Sequence, residues 1–212
     1  MTDAHCHVSS GDPAIREFLI GRDFVGIHPW DVGMRDEGRG MRDELAANPS
    51  LGVGEIGLDR LKARDIPQAM RDAFEAQLKL AAEFRRPVVL HGAKCWGQVV
   101  EACKSGAERI PSFLFHGFSR SDGLIPDIVK LNGFISVGPA VLNDHAVNYR
   151  NLVRKIPADR LLVETDRTLE NAAACPSVGD VVAKVAELRG CATAELEALT
   201  DANAERFISA GL

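Results

Sequence analysis

Five of the six histidines in this 212-residue sequence lie at or near the ends of short apolar segments. The first two, His5 and His7, form a His-x-His pair in DAHCH. Side chains two apart on a strand project to the same face, so both imidazoles could bind one metal ion. Such a pair alone also occurs by chance on an exposed strand edge. Asp3, on the same face, could orient an imidazole or make an ordinary structural hydrogen bond.

Other ionisable residues follow later apolar segments in the same way, namely His28, Glu55, Asp59, His91, His116, Glu164 and Asp166. A single histidine at a strand end is more often a hydrogen-bonded structural residue than a ligand. Five of them favour a shared metal, because burying each without a partner would cost roughly several kcal/mol. A divalent ion removes this cost by coordinating several side chains at once.

Two carboxylates complete the candidate metal ligands and are the predicted catalytic residues. Glu55 lies in GEIGLD among glycines, which allow close approach of backbone and ligands. Its carboxylate could bridge two ions about 3.5–4 Å apart. Asp166 in ETD is placed near the mouth of the fold, where it could bind metal and accept a proton from attacking water. Asp59 could help to shape the site or cap the turn that follows it, and the cap is the favoured interpretation.

The scaffold that brings such strand ends together is a parallel sheet. Apolar segments predict strands at Thr2–Val8, Asp23–His28, Leu51–Leu58, Pro87–His91, Ser112–His116, Gly133–Val137 and Arg160–Glu164. Helical spacing predicts helices at Gln68–Arg86, Asp122–Leu131, His145–Lys155, Val178–Arg189 and Thr193–Ala210. The alternation predicts one α/β domain over residues 1–212, with its sheet closed as a barrel or open and doubly wound. Met34–Arg42, rich in glycine and charge, is interpreted as a surface loop.

Bulk composition limits the classes of function. The chain is 46% hydrophobic with a net charge of −5, which gives no basic surface for non-specific nucleic-acid binding. Any nucleic-acid contact should therefore be confined to the site itself. No signal peptide or membrane-spanning segment is predicted. The five widely spaced cysteines suggest neither a disulfide framework nor a zinc knuckle, so a cytoplasmic location is expected. No obligate protein partner is evident from the sequence.

Taken in order, the motifs resemble those of the TatD family of metal-dependent hydrolases, a branch of the amidohydrolase-like TIM barrels. The matching segments are DAHCH at 3–7, GIHPW at 26–30, GEIGLD at 54–59, PVVLH at 87–91, FHGFS at 115–119, ETD at 164–166 and TDANAERF at 200–207. The resemblance implies a (β/α) barrel, two divalent ions and hydrolysis of phosphate esters. Members of the family are typically described as magnesium-dependent deoxyribonucleases with exonuclease activity. By motif, one metal would be held by His5, His7, Glu55 and Asp166, and the second by Glu55, His91 and His116.

Three departures from the family pattern affect the fold and the substrate contacts. Only 18 residues separate His7 from GIHPW. A parallel crossover needs about a dozen residues or more, so Arg16–Gly21 should not be a strand with its own helix. A reduced TIM-like barrel with about seven regular strands, or a short irregular eighth, is predicted. Ala93 and Lys94 replace the family's usual arginine, and the segment after ETD lacks its usual proline-rich loop.

The leading hypothesis is therefore a two-metal phosphoesterase acting on a small-molecule or nucleic-acid substrate. Lys94, Trp30 and His28 are the predicted substrate contacts, although Trp30 could equally pack under the rim. The alternatives are an amidohydrolase-type enzyme acting on amides, lactones or nucleobases, and a binding protein with a structural metal. Mixed imidazole and carboxylate ligands suit Zn, Mn or Fe better than Mg, so the sequence does not identify the metal.

Overall fold

The computed structural model describes residues 1–34, 39–61 and 64–210. Its strands are β1 Thr2–Cys6, β2 Arg16–Leu19, β3 Phe24–Val25, β4 Gly52–Asp59, β5 Val88–Ala93, β6 Phe113–Phe115, β7 Gly133–Val137 and β8 Leu161–Val163. Strands β1 and β2 pair with each other, and β3 to β8 form a second sheet in chain order. Every one of these pairings is parallel.

Backbone contacts join the two sheets into a closed barrel. A parallel bridge between Ile20 and Phe24 links the end of β2 to β3. On the other side, the amide of Asp166 donates to the carbonyl of His5 at 3.0 Å, and the amide of His7 donates to Arg167 at 2.8 Å. Of the closed barrel and the open sheet that the β-α alternation left as alternatives, the closed one is observed, and the TIM-like barrel implied by the family resemblance is confirmed.

Seven α-helices accompany the strands in the described part of the chain, namely α1 Arg39–Ala47, α2 Gln68–Phe84, α3 Trp96–Lys104, α4 Ile125–Lys130, α5 Val147–Lys155, α6 Val178–Arg189 and α7 Thr193–Ser209. The larger apolar core lies between these helices and the outward-facing strand residues. A smaller core fills the barrel interior with Phe18, Phe24, Val89, Leu114, Phe134, Leu162 and Phe207 among others. Phe207 comes from α7, so the last helix contributes to the interior of the barrel.

The first quarter of the chain is where the barrel is irregular. Strand β2 follows β1 after only residues 7–15 and pairs with it directly, with Thr2 opposite Arg16. This connection is too short for a helix. The eighth strand is therefore retained in a short form, and what the segment lacks is the helix.

The prediction of a loop over Met34–Arg42 is wrong where α1 begins at Arg39. Residues 35–38 lie outside the described part of the chain. The helix forms there because Met41 and Leu45, one turn apart, are both buried in the core. Gly40 and the charged residues around it obscured this spacing.

Removing the Phe207 ring should destabilise the barrel strongly. The ring is fully buried and lies 6.0–6.1 Å from the rings of Phe18, Phe24 and Phe134. A Phe207→Ala variant should lose about 3–5 kcal/mol of unfolding free energy in urea titrations. Phe84→Ala, which removes a partly buried ring from the end of α2, is the matched control and should lose distinctly less. Equal losses would mean that the interior core is not what closes the barrel.

Candidate metal centre

Strand alternation places the polar residues directly above the apolar interior. In three strands an inner-core residue is followed two positions later by an ionisable one, as in Val89 and His91, Leu114 and His116, and Leu162 and Glu164. Residues two apart on a strand share a face, so each ionisable side chain also points inward. Because all strands are parallel, these side chains converge at the carboxyl ends of the strands, the face on which barrel enzymes carry their sites.

Glu55 lies at the centre of this face, on β4, and is almost fully buried. The neighbouring glycines are required by close packing against β5. A Cβ on Gly57, whose φ is 154°, would lie 2.0 Å from the carbonyl oxygen of His91, and one on Gly54 would lie 2.7 Å from the Val89 Cβ. The close approach expected from GEIGLD is therefore observed, and it brings β5 directly beside the carboxylate.

One carboxylate oxygen of Glu55 faces the His-x-His pair. Its Oε2 atom lies 3.4 Å from His5 Nε2 and 3.2 Å from His7 Nε2. Each of these two nitrogens is also 3.6 Å from Oδ1 of Asp166. We call these four residues the Oε2 group. Two imidazole nitrogens and two carboxylate oxygens thus surround one point at the barrel mouth.

The other oxygen, Glu55 Oε1, faces a different set of imidazoles. It lies 2.7 Å from His91 Nδ1 and 2.7 Å from His116 Nε2, and these two nitrogens are 3.5 Å apart. His28 Nε2 lies 3.6 Å from the same oxygen. We call Glu55 and these three histidines the Oε1 group. His28 was predicted to contact substrate, and the structure adds it to the residues that surround Glu55.

These side chains could hold metal ions. Ligand atoms lie within 4.8 Å of one another in three overlapping sets, which are His5 with His7 and Glu55, His5 with His116 and Asp166, and His28 with Glu55 and His91. His5 is fully buried, yet neither of its ring nitrogens makes a hydrogen bond to any residue in the described ranges. A buried imidazole nitrogen without a partner is costly, and coordination of a cation through Nε2 would satisfy it.

The electrostatics of the centre favour a positive charge. Burial alone would raise the pKa of Glu55, but His116 and His5 lower it well below its usual range. Burial and His116 oppose protonation of His5, but Asp166 and Glu55 outweigh them and raise its pKa to about 9. Burial alone would raise the pKa of Asp166, but His5 lowers it. The carboxylates therefore stay ionised and require cationic partners, either protons on the imidazoles or a metal ion.

Two further carboxylates orient the imidazoles of the Oε1 group from behind. Asp59 Oδ2 lies 2.8 Å from His91 Nε2. The other oxygen, Asp59 Oδ1, accepts a hydrogen bond from the Leu61 amide at 2.5 Å, as expected of a turn cap. Glu164 Oε1 lies 3.5 Å from His116 Nδ1 and accepts the Gly117 amide at 2.8 Å. The ring nitrogens that face Glu55 are in this way fixed as Nδ1 of His91 and Nε2 of His116.

Asp3 makes the structural hydrogen bonds that the sequence left as one of two alternatives. Its carboxylate accepts the Thr165 amide at 2.9 Å and the Thr165 hydroxyl at 2.6 Å. These bonds tie β1 to the segment that carries Asp166. Burial raises the pKa of Asp3 to about 6, against the lowering effect of Thr165.

Two clefts open on either side of Asp166, which together with Asn171 lines both. The first, of about 900 Å³, contains His28 and Trp30 and is called the Trp30 cleft. The second, of about 1060 Å³, contains Tyr149 and Arg120 and is called the Tyr149 cleft. The Trp30 side chain is 44% exposed and its ring lies 5.0 Å from that of His28. Lys94 is exposed and lines neither cleft.

The parallel barrel, with potential metal ligands grouped at its carboxyl ends, has the architecture of the barrel hydrolases. Comparison of the sequence with protein families gives a match to the family described as TatD related DNase over residues 21–209. The chain belongs to this family, and the resemblance seen in its motifs is confirmed.

Two sequence relatives agree with this family assignment, and a solved structure agrees with the fold. The chain is 36% identical over 172 residues to the 3'-5' ssDNA/RNA exonuclease TatD of Klebsiella pneumoniae, covering 75% of this chain and 65% of that protein. It is 31% identical over 196 residues to the uncharacterized metal-dependent hydrolase YabD of Bacillus subtilis, covering 86% and 75%. The crystal structure of YJJV, a TatD homolog from Escherichia coli, matches with a TM-score of 0.81 at 21% identity, covering 97% and 96%. The chain thus spans less than two thirds of the Klebsiella enzyme.

The helices within the described residues are also too short or too polar to cross a membrane.

Removing the Asp3 carboxylate should loosen the closure of the barrel beside the site. In Asp3→Ala, the buried amide and hydroxyl of Thr165 lose their acceptor, at a cost of about 1–3 kcal/mol for each unpaired donor. Urea unfolding should show this loss, and Thr165→Val, which removes only the hydroxyl donor, should show a smaller one. An Asp3→Ala variant as stable as the parent would show that these bonds do not hold β1 in place.

Proposed function

We propose that the chain is a divalent-metal-dependent phosphoesterase that hydrolyses phosphodiesters, with a nucleic-acid end as the substrate. The observation that carries this proposal is the arrangement around Glu55, whose two oxygens face separate sets of imidazoles. A single bridging carboxylate between two nitrogen-rich sets is suited to two ions, and two-ion sites are characteristic of phosphate-ester hydrolases. The Klebsiella relative is named as a 3'-5' ssDNA/RNA exonuclease, which supports the substrate class.

The Oε2 group would hold one ion through His5, His7, Glu55 and Asp166. The Oε1 group would hold the second through Glu55, His91 and His116, with His28 beside it. The buried Nε2 of His5 faces two carboxylates but makes no hydrogen bond within the described residues, which fits this assignment. Nitrogen and oxygen ligands in this proportion favour Zn, Mn or Fe over Mg as the resident metal. Bound divalent ions would polarise the phosphoryl oxygens and lower the pKa of water.

Asp166 is the group of the chain best placed to accept the proton of the attacking water. Its side chain is 48% exposed, whereas that of Glu55 is 3% exposed. Asp166 lines both clefts, so it faces any substrate that passes from one to the other. A lowered pKa keeps it ionised and ready to act as a base. Trp30 and His28, in the Trp30 cleft, would contact the terminal nucleoside.

Substituting Asp166 should abolish turnover without unfolding the chain. An Asp166→Asn variant should lose about 10²–10⁴-fold in kcat on bis(p-nitrophenyl) phosphate and on a 3'-labelled single-stranded oligonucleotide, because the base is lost. Glu75→Gln, an exposed acid on α2, is the control and should keep full activity. Wild-type protein inactive on every phosphate ester with Mg, Mn, Zn or Fe present, but active on amides or lactones, would favour an amidohydrolase.

Substituting Glu55 should affect both ions together. Elemental analysis of protein reloaded after chelation should give up to two ions per chain for the wild type. Glu55→Gln should retain fewer than His7→Ala, because His7 belongs to only one of the two groups. Unchanged metal content in Glu55→Gln would contradict the bridging role. A site that binds metal tightly, stabilises the fold and supports no turnover would instead indicate a structural centre.

A further inference from the structure

The two clefts beside Asp166 differ sharply in charge. Apart from the residues of the two metal groups, the described lining of the Trp30 cleft carries acids at Asp31, Glu44 and Glu170, and no lysine or arginine. The lining of the Tyr149 cleft carries two cations, Arg120 and Lys155, and two acids, Asp122 and Glu164. The Tyr149 cleft is thus balanced in charge where the Trp30 cleft is acidic, so a phosphate backbone is repelled by the Trp30 cleft and can be accepted in the Tyr149 cleft. Charge therefore assigns different parts of a polyanionic substrate to the two clefts.

Arg120 is the cation that the Tyr149 cleft offers to a ligand. Lys155 is already paired with Asp122 on the wall of the cleft. Arg120 is exposed, and its guanidinium makes no ion pair or hydrogen bond with any residue in the described ranges. It follows β6 in a left-handed turn with φ of 60°. A guanidinium without a protein partner in a cleft that reaches the reacting centre is suited to a phosphate.

The position of Arg120 matches a phosphate close to the scissile one. Arg120 is the fourth residue after His116, so their Cα atoms lie at most roughly 14 Å apart. Ser119, Ser121, Asn148 and Asn151 supply uncharged polar side chains along the same cleft. These groups can bond to phosphate and sugar oxygens of any sequence.

We propose that the Tyr149 cleft binds the body of a single-stranded nucleic acid, with Arg120 on a backbone phosphate, while the terminal nucleoside occupies the Trp30 cleft. This inference rests on the proposed function and adds the path of the strand. It replaces Lys94, which the sequence predicted to contact substrate, with Arg120. Since the contact is to phosphate, binding is independent of base sequence.

The test compares Arg120→Gln with Arg109→Gln. Arg109 is a second exposed arginine, located before β6 on the opposite end of the barrel and outside both clefts. Each variant is assayed on bis(p-nitrophenyl) phosphate and on a single-stranded oligonucleotide of roughly 10–16 nucleotides. Binding of the same fluorescent oligonucleotide is measured by anisotropy with a chelator present, in a series of salt concentrations.

Arg120→Gln should raise KM for the oligonucleotide and weaken its binding roughly tenfold. Its kcat/KM should fall far more on the oligonucleotide than on the small diester, which carries no second phosphate. The slope of log affinity against log salt should fall by about 0.7, the value for one phosphate contact on a single strand. Arg120→Lys should recover part of the binding, and Arg109→Gln should match the wild type.

Equal oligonucleotide binding by Arg120→Gln and wild type would overturn the inference, and so would equal weakening by Arg109→Gln. If the wild type binds the oligonucleotide through Arg120 but hydrolyses no phosphate ester, the strand path holds and the proposed function fails. If the wild type hydrolyses the oligonucleotide without any dependence on Arg120, the proposed function holds and the strand path fails.

Discussion

The burial of Glu55 is the constraint on which the rest of the structure depends. A carboxylate this deep in a protein is strongly disfavoured unless it is paired with positive charge. Here the pairing is supplied by imidazoles from four different strand ends, each within 3.6 Å of one of its two oxygens. Only a closed parallel barrel brings so many strand ends to one point, so the fold and the site require each other.

The closure of the barrel is achieved with unusually little chain. The connections on both sides of β2 contain no helix, and β3 is only two residues long. Side-chain and backbone hydrogen bonds from β1 to the segment after β8 compensate, through Asp3 with Thr165 and through the His5 carbonyl with the Asp166 amide. These bonds also fix Asp166 against His5 and His7. The contacts that close the barrel are thus the same ones that assemble the Oε2 group.

Much of the centre could be predicted from the sequence because strand periodicity is local. A residue two positions after an inward apolar side chain must also point inward, which is enough to place His91 and His116 on the inner face. The contact of Asp59 with His91 and the approach of His28 to Glu55 depend on how neighbouring strands are staggered. Strand β2 and the start of α1 could not be predicted from local sequence either. Strand pairing stabilises β2 and burial stabilises α1 more than their own composition does.

The substrate contacts were the least predictable part, because exposed cations carry no periodic signal. Lys94 and Arg120 each lie three or four residues after a proposed metal ligand, His91 and His116 respectively, and both adopt a left-handed backbone. Only the shape of the surface distinguishes them, since the chain leaves β5 away from both clefts and leaves β6 along one of them. This distinction explains how a chain with a net charge of −5 could act on a polyanion. The acids of the Trp30 cleft would reject further phosphates. A strand bound through Arg120 in the Tyr149 cleft would therefore present its end, and not its middle, to Asp166.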